Sequence, residues 1–344
     1  MVGDSPHGIA RYALALWEGL PADPAIQYTA LIAVGSSLPT HRPGDALLPC
    51  RSRFLSLFEQ VELPWLLRGA QIDLLHATSI SVPAAWRGPL VMTIHDVNHL
   101  AMPGWMGPGR KPYYERVVKP TALRASRVLT CSEFSGREIQ RWLGVPAEKV
   151  RVAPYAIEPA FQPPLAEAVA ALRRRLDLPE GCVLYVGNGR PHKNLELLWE
   201  IARLAPQLPL VLAGRGIEAR DLPVPRVPDI ADADLPALYG GAALFLFPSR
   251  YEGFGLPPLE AAACGAPVLV ARGSSMDEHW EGTGSLLPPD QPTVWIQEIE
   301  RLRGNDAERR VLAKRDAERA SHYRSWEPAV TAAFEAYQDA LRLT

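Results

Sequence analysis

The residues with the most chemistry in their spacing are Glu252 and Glu260, which flank the segment Gly-Phe-Gly-Leu-Pro-Pro-Leu at 253–259. Residues 243–248 before them form an apolar run of buried-strand length, and residues 259–264 favour helix, so the pair straddles a strand-to-helix turn. Pro257 and Pro258 suit the first helical turn, where an N–H has no partner, and Gly265 suits the position just past the helix end. The helix N-terminus then faces the loop. Its free N–H groups and dipole attract an anion, and Gly253 and Gly255 let that anion approach the backbone closely. Phe254 and Leu256 complete the loop as binding positions. From the first helical turn Glu260 can accept two hydrogen bonds from a ribose diol, while Glu252 faces the group that the phosphate carries. Diphosphate, ribose and a polar cargo are the parts of a sugar nucleotide. Taken singly, either acid also suits a solvated helix start.

Lys193 follows the apolar run 183–187 through a glycine-containing turn and opens a helical pattern, which puts an ammonium where a diphosphate would lie; Arg190 is a second cation beside it. A surface lysine at a helix start has the same local pattern. Gly187 and Gly189 begin a dinucleotide fingerprint, but its third glycine position is His192, so that fingerprint is incomplete. His95 ends the run 90–95, at the strand end where open α/β sheets bind ligands, although a hydrogen-bonded structural histidine fits there too. His95 and His99 imitate a zinc-helix spacing, yet at a strand end residues four apart do not share a face. Asp232 and Asp234 form a D-x-D of metal-binding type, but Asp234 precedes Leu235-Pro236 and reads as a helix N-cap. With a helix dipole and Lys193 offsetting the diphosphate, the chemistry calls for neither a divalent metal nor another cofactor. Gly8 opens the first helix with room for a ligand against its backbone, while Arg11 and Tyr12 suit either contact with an acceptor or helix surface, and surface is the preferred reading.

The elements that must hold these residues follow from the alternation of apolar runs with helical periodicity. Strand-length runs occur at 28–34, 72–77, 90–95, 127–131 and 150–154, and again at 183–187, 210–213, 243–247, 268–271 and 285–287. Helical patterns at 9–20, 54–67, 113–125 and 133–143 lie between several of them, which gives α/β architecture with parallel sheets. Prolines at 154, 159, 163 and 164 interrupt both periodicities and mark a boundary. The expected organisation is a first α/β domain over 1–158, a second over 159–325, and a helix over 326–344. That helix is expected to present Trp326, Val330, Phe334, Tyr337 and Leu341 to the first domain. The 344 residues allow two cores, and a formal net charge of -2 argues against a nucleic-acid binder. No apolar run reaches the ~18 to 20 residues of a membrane span, and no secretory signal opens the chain, so a cytoplasmic protein with four reduced cysteines is expected. The stretch 51–58, basic and then apolar, suits either packing on its own domain or peripheral contact with a membrane surface.

Taken together, GIARY at 8–12, TIHDVNHL at 93–100, SEF at 132–134, GVPAEKVRVAPYAI at 144–157, LYVGNGRPHKNL at 184–195, DADLPALY at 232–239 and PSRYEGFGLPPLEAAACGAPV at 248–268 carry a family resemblance. The chain resembles the retaining glycosyltransferases of family 4. The resemblance implies a GT-B fold, two Rossmann-like α/β domains facing a central cleft, with a C-terminal helix crossing back to the first. It implies transfer of a hexose, mannose-like or glucose-like, from a nucleoside diphosphate sugar to a glycan or lipid-linked acceptor in polysaccharide or lipopolysaccharide assembly. The family's two-glutamate motif falls on Glu252 and Glu260, its basic turn on Lys193 and Arg190, and its donor-facing histidine on His95. Residues 227–230 lie near the nucleobase by the same analogy. In two places the chain departs from the pattern. Asn188 holds the position where the family often has arginine, and Gly8 arrives without the strand that usually precedes it. The rival readings are a GT-B nucleotide-sugar epimerase and a catalytically silent nucleotide-sugar-binding subunit, for which the missing strand is the motive.

Overall fold

The computed structural model describes residues 8–35, 44–52, 55–102, 110–217, 224–227, 229–283 and 285–343. The chain divides into two compact units, Met1–Tyr155 with Trp326–Thr344, and Ala156–Ser325. Each is a Rossmann-like α/β body. The segment before Gly8, on which the expectation of a missing first strand falls, lies outside the described residues.

In the first unit, β1 (Thr29–Ala33) and β2 (Ala46–Cys50) form a parallel pair, while β3 (Leu75–Ala77), β4 (Leu90–Thr93), β5 (Arg127–Thr130) and β6 (Val150–Val152) form a four-stranded parallel sheet in that order. Buried Leu90, Met92, Val128 and Ile139 are part of the core on this sheet. Among the described residues, β1 pairs only with β2 and β3 only with β4. Both strands line one cavity of about 720 Å³, walled also by Leu16 and Trp17, Leu63 and Leu67, and Phe334 and Leu341.

The C-terminal helix Glu327–Arg342 belongs to this unit and packs on β4, β5, β6 and the first helix, Gly8–Gly19. Of the stripe expected to face this unit, Trp326 lies against Tyr12 and Tyr337 bonds His76, but the deepest positions are on the adjoining side. Ala329, Ala332, Ala333, Ala336 and Ala340 are the buried positions, and Leu341 is exposed. Alanines let the helix axis approach the sheet closely. Arg127 and Arg151 on β5 and β6 then reach Asp339, at 3.1 and 3.2 Å.

In the second unit, β7 (Val183–Val186), β8 (Leu210–Ala213), β9 (Arg226–Val227), β10 (Leu244–Phe247), β11 (Val268–Ala271) and β12 (Leu286–Leu287) form one parallel sheet. Its order is β12-β11-β10-β7-β8-β9. Strands β7, β8, β10 and β11 are buried along their whole length, as continuous Val, Leu, Ala, Phe and Tyr runs require when helices cover both faces. From β7 the chain builds outward through β8 and β9, then returns to β10 on the other side. The switch point therefore lies between β7 and β10, and the loops leaving their carboxyl ends diverge there. In open α/β sheets that divergence is where ligands bind.

Candidate active site

Lys193 reaches this point from the β7 loop and Glu252 from the β10 loop. Pro191–Lys193 forms one 3-10 turn, Asn194 turns the chain with φ +55°, and the helix Leu195–Leu204 follows. Buried Asn194 donates from Nδ2 to the carbonyls of Pro248 (3.1 Å) and Pro289 (2.9 Å), and its Oδ1 accepts from Arg250 Nε at 3.1 Å. The Arg250 N–H in turn donates to the His192 carbonyl at 2.8 Å. So the two loops are laced together, and Lys193 Nζ lies 2.7 Å from Glu252 Oε1, with both side chains nearly buried. The ammonium also stands 5.1 Å from the centre of the Phe247 ring. His192 Nε2 is 3.9 Å from the same carboxylate oxygen.

Glycines let the turns meet. A Cβ on Gly189 would lie 2.1 Å from the Gly216 carbonyl oxygen, and one on Gly214 would lie 2.0 Å from that of Gly187. Gly255 has φ +87°, and a Cβ there would stand 2.2 Å from Met276 Cε. It forms the N-cap of the helix Leu256–Ala263. Pro257 and Pro258 carry no N–H, so Gly255 and Leu256 are the residues of that first turn with a backbone donor to offer an anion.

Glu260 is the fifth residue of this helix rather than a first-turn residue, because the helix begins at Leu256, ahead of both prolines. It is 5% exposed, and its Oε2 accepts from Tyr239 Oη at 3.4 Å. Burial, and then the Glu260 charge, push the Cys264 thiol up to about 12. Arg190 is exposed, and its N–H donates to Asn188 Oδ1 at 3.2 Å. The second unit thus brings Lys193, Glu252 and the loop Gly253–Phe254–Gly255–Leu256 together, with Glu260 one turn into the helix.

His95 and Gly8 belong to the first unit. His95 lies two residues beyond β4, where Nε2 donates to the Thr78 carbonyl at 2.9 Å and Nδ1 accepts from Tyr155 Oη at 2.5 Å. Tyr12, read as surface, is fully buried, with its hydroxyl 3.1 Å from Thr93 Oγ1. His76 bridges Thr93 and Tyr337, and burial pulls its pKa down to about 3. Gly8 is the first residue of its helix. Asp234 occupies the N-cap of Leu235–Gly240 but makes no capping bond, because its carboxylate pairs with Arg175. Among the described residues, no three His, Cys, Asp or Glu side chains are grouped to hold a metal ion, and all four cysteines are buried thiols outside any disulfide. Pro228, within the expected nucleobase segment, lies outside the described residues.

Sequence reasoning passed over Asn194, Arg250, Ser275 and His279. Asn194 alone carried a signal, since its position at a turn fits a residue that tolerates positive φ.

Comparison with known proteins extends from this geometry to the whole chain. A family model described as Glycosyltransferase Family 4 matches residues 6–161, and one described as Glycosyl transferases group 1 matches residues 172–319. The O-antigen chain mannosyltransferase B of Escherichia coli is 30% identical over 292 residues, covering 80% of this chain and 76% of that protein. Among solved structures, the sucrose-phosphate synthase of Thermosynechococcus elongatus superposes with a TM-score of 0.71 at 23% identity, covering 89% of this chain and 86% of the other. Anabaena HepE, solved in complex with UDP-glucose, gives 0.70 at 21% identity and 86% coverage of both chains. By its sequence matches and its two Rossmann-like bodies, the chain belongs to the GT-B glycosyltransferases of the group 1 and family 4 type.

Proposed function

We propose that this glycosyltransferase moves a hexose, mannose-like or glucose-like, from a nucleoside diphosphate sugar to a glycan or lipid-linked acceptor, with retention at the anomeric carbon. The observation that carries this reading is the Lys193–Glu252 pair at 2.7 Å, beside a helix start whose backbone donors come from Gly255 and Leu256. The ammonium and these donors suit a departing diphosphate, and Glu252 suits the sugar that leaves it. The bond from the anomeric carbon to the diphosphate oxygen breaks while the acceptor oxygen bonds that carbon from the same face. The acceptor proton passes to the leaving phosphate. Glu252 orients the sugar hydroxyls and stabilises positive charge at the anomeric carbon, without forming a covalent bond to it. Arg190 is exposed next to Lys193 and adds a second cation toward the diphosphate, and Glu260 suits the ribose. The name of the Escherichia coli relative supports a hexose donor and a polysaccharide product.

The same reading puts the enzyme in the cytoplasm, at the inner face of a membrane. On and just before the helix Glu59–Gly69, Leu57, Phe58, Val61 and Trp65 are 83, 55, 67 and 73% exposed. Arg51 and Arg68 are exposed beside them, whereas Glu59 is buried and Glu62 accepts from the Arg51 and Ser52 N–H groups. An apolar and cationic face of this kind suits anionic lipid. Trp65→Ser should weaken sedimentation with phosphatidylglycerol vesicles several-fold, and equal sedimentation of the two proteins would count against the contact.

The deciding experiment is calorimetry of the purified chain with GDP-, UDP-, ADP- and dTDP-sugars, each with and without divalent metal. Selective binding of one nucleotide is expected, and no binding to any would overturn the proposal. For the responsive donor, Glu252→Gln should lower kcat by ~100-fold or more while the donor Kd changes by less than about 5-fold. Loss of both in equal measure would remove the assigned role.

A further inference from the structure

The Gly253–Leu256 loop is tied to a neighbouring helix through its own carbonyls. Gly255 adopts φ +87°, and the N–H groups of the next two positions but one are replaced by proline rings. The anchor is the short helix Ser275–Trp280. Ser275 donates from its backbone N–H to the Glu252 carbonyl at 3.4 Å and from Oγ to the Phe254 carbonyl at 2.9 Å. His279, 3% exposed, brings Nε2 to 2.9 Å from the same Phe254 carbonyl. A carbonyl oxygen only accepts, so Nε2 carries the proton, and Nδ1 accepts from Tyr323 Oη at 2.9 Å. The tautomer is therefore fixed from both sides. Burial pulls the imidazole pKa down to about 4, which keeps the ring neutral near pH 7. The Phe254 ring closes the arrangement, edge-on to His279 at 4.8 Å and to Tyr323 at 5.4 Å between centroids.

One peptide plane converts this anchoring into a direction. No described peptide bond is cis, so the Phe254 carbonyl and the Gly255 N–H point in opposite directions within their shared plane. With the carbonyl held by Ser275 and His279, the Gly255 N–H is aimed away from the Ser275–Trp280 helix. It is one of the few backbone donors left at the start of the Leu256–Ala263 helix, because Pro257 and Pro258 have none. We infer that His279 is a positioning residue for diphosphate recognition, which aims the Gly255 N–H at the leaving phosphate by holding the Phe254 carbonyl. This inference rests on the donor reading above and deepens it. His279 touches no substrate in this role.

The arrangement also ties the loop to the boundary of its unit. The Tyr323 carbonyl accepts from the Ile157 N–H at 2.7 Å, so one residue holds the imidazole with its hydroxyl and the entering chain with its carbonyl.

The test compares affinities for nucleoside diphosphate and nucleoside monophosphate, using the base that the wild-type protein prefers. A merely structural role would weaken both alike, whereas a positioning role weakens the diphosphate alone. His279→Phe should raise the diphosphate Kd by ~10-fold or more and leave the monophosphate Kd within about 2-fold, since a hydrogen bond to a charged group is affected. His279→Gln keeps an N–H donor within reach of the carbonyl and should restore most of the difference. Tyr323→Phe, which releases the tautomer, should shift the ratio in the same direction by less and supplies a fold-conserving check where the Phe variant does not express. An unchanged diphosphate-to-monophosphate ratio in His279→Phe or, failing that protein, in Tyr323→Phe overturns the inference while the donor reading stands. Absence of any nucleotide binding by the wild type overturns both.

Discussion

Asp316 is the carboxylate most at odds with its surroundings. It is fully buried on the helix Asp306–Ser321, where Oδ2 accepts from the Val268 N–H at 2.8 Å and Oδ1 from Ser285 Oγ at 3.4 Å. Burial outweighs both bonds and pushes its pKa up to about 7. Because this folded value lies above the unfolded one, the folded state holds the proton between ~pH 4 and 7 while the unfolded state has released it. Stability from this residue is present below that window and falls as pH rises through it, at up to ~1.4 kcal/mol per pH unit. Asp316→Asn should therefore gain on the wild type from pH 4 to 7 and hold a constant advantage above, as urea midpoints at each pH would report. A flat difference across the range would place the proton elsewhere. The Lys193–Glu252 pair makes a different demand. Lys193→Met leaves a nearly buried carboxylate without its cation and should cost on the order of 3 kcal/mol, whereas adding Glu252→Gln should recover much of the loss in a double-mutant cycle. The sequence exposed both residues because each sits in a strand-turn-helix setting with glycine or proline nearby. It did not expose their direct contact, which is 59 residues apart in the chain and depends on β7 and β10 being neighbours. His279 was invisible for a related reason: its partner is a backbone carbonyl, and no residue type marks that.

At the scale of elements, the strands of the second unit were legible because burial on both faces writes an unbroken apolar run. Strands β2 and β9 were not. Ala46–Cys50 contains exposed Pro49, a residue type that argues against a strand, and Arg226–Val227 is two residues long. The helical pattern at 113–125 resolves into a helical turn, a π-helical segment Tyr114–Val118 and the helix Lys119–Arg124, an irregularity that periodicity averages away. The C-terminal helix shows the opposite limit. Its large residues gave the correct period, and Tyr337 bonds His76 of β3, yet the side packed closest to the sheet is the alanine stripe, since small side chains are what allow close approach. Ala336→Leu should accordingly overpack this contact and lower unfolding stability by ~1 to 3 kcal/mol in urea titration. The same change at exposed Thr331 should have little effect.

Across the whole molecule, two units of one architectural class differ in how their strands are joined. In the second, the six described strands form a single sheet, and the divergence between β7 and β10 supplies the candidate site. In the first, the described strands form two separate sheets, and the cavity of about 720 Å³ is lined by β1 from one and β3 from the other. Sequence reasoning reached the two-core plan from the alternation of elements, but a cavity has no residue pattern of its own. Its consequence lies in what holds the two sheets of the first unit together. Side chains that face open space have no partner atoms on that side, so the β1–β2 pair gains little from packing across the cavity. Hydrogen exchange should therefore record lower protection for amides of β1 and β2 than for those of β7 and β10, and equal protection in both sets would show that the cavity weakens nothing.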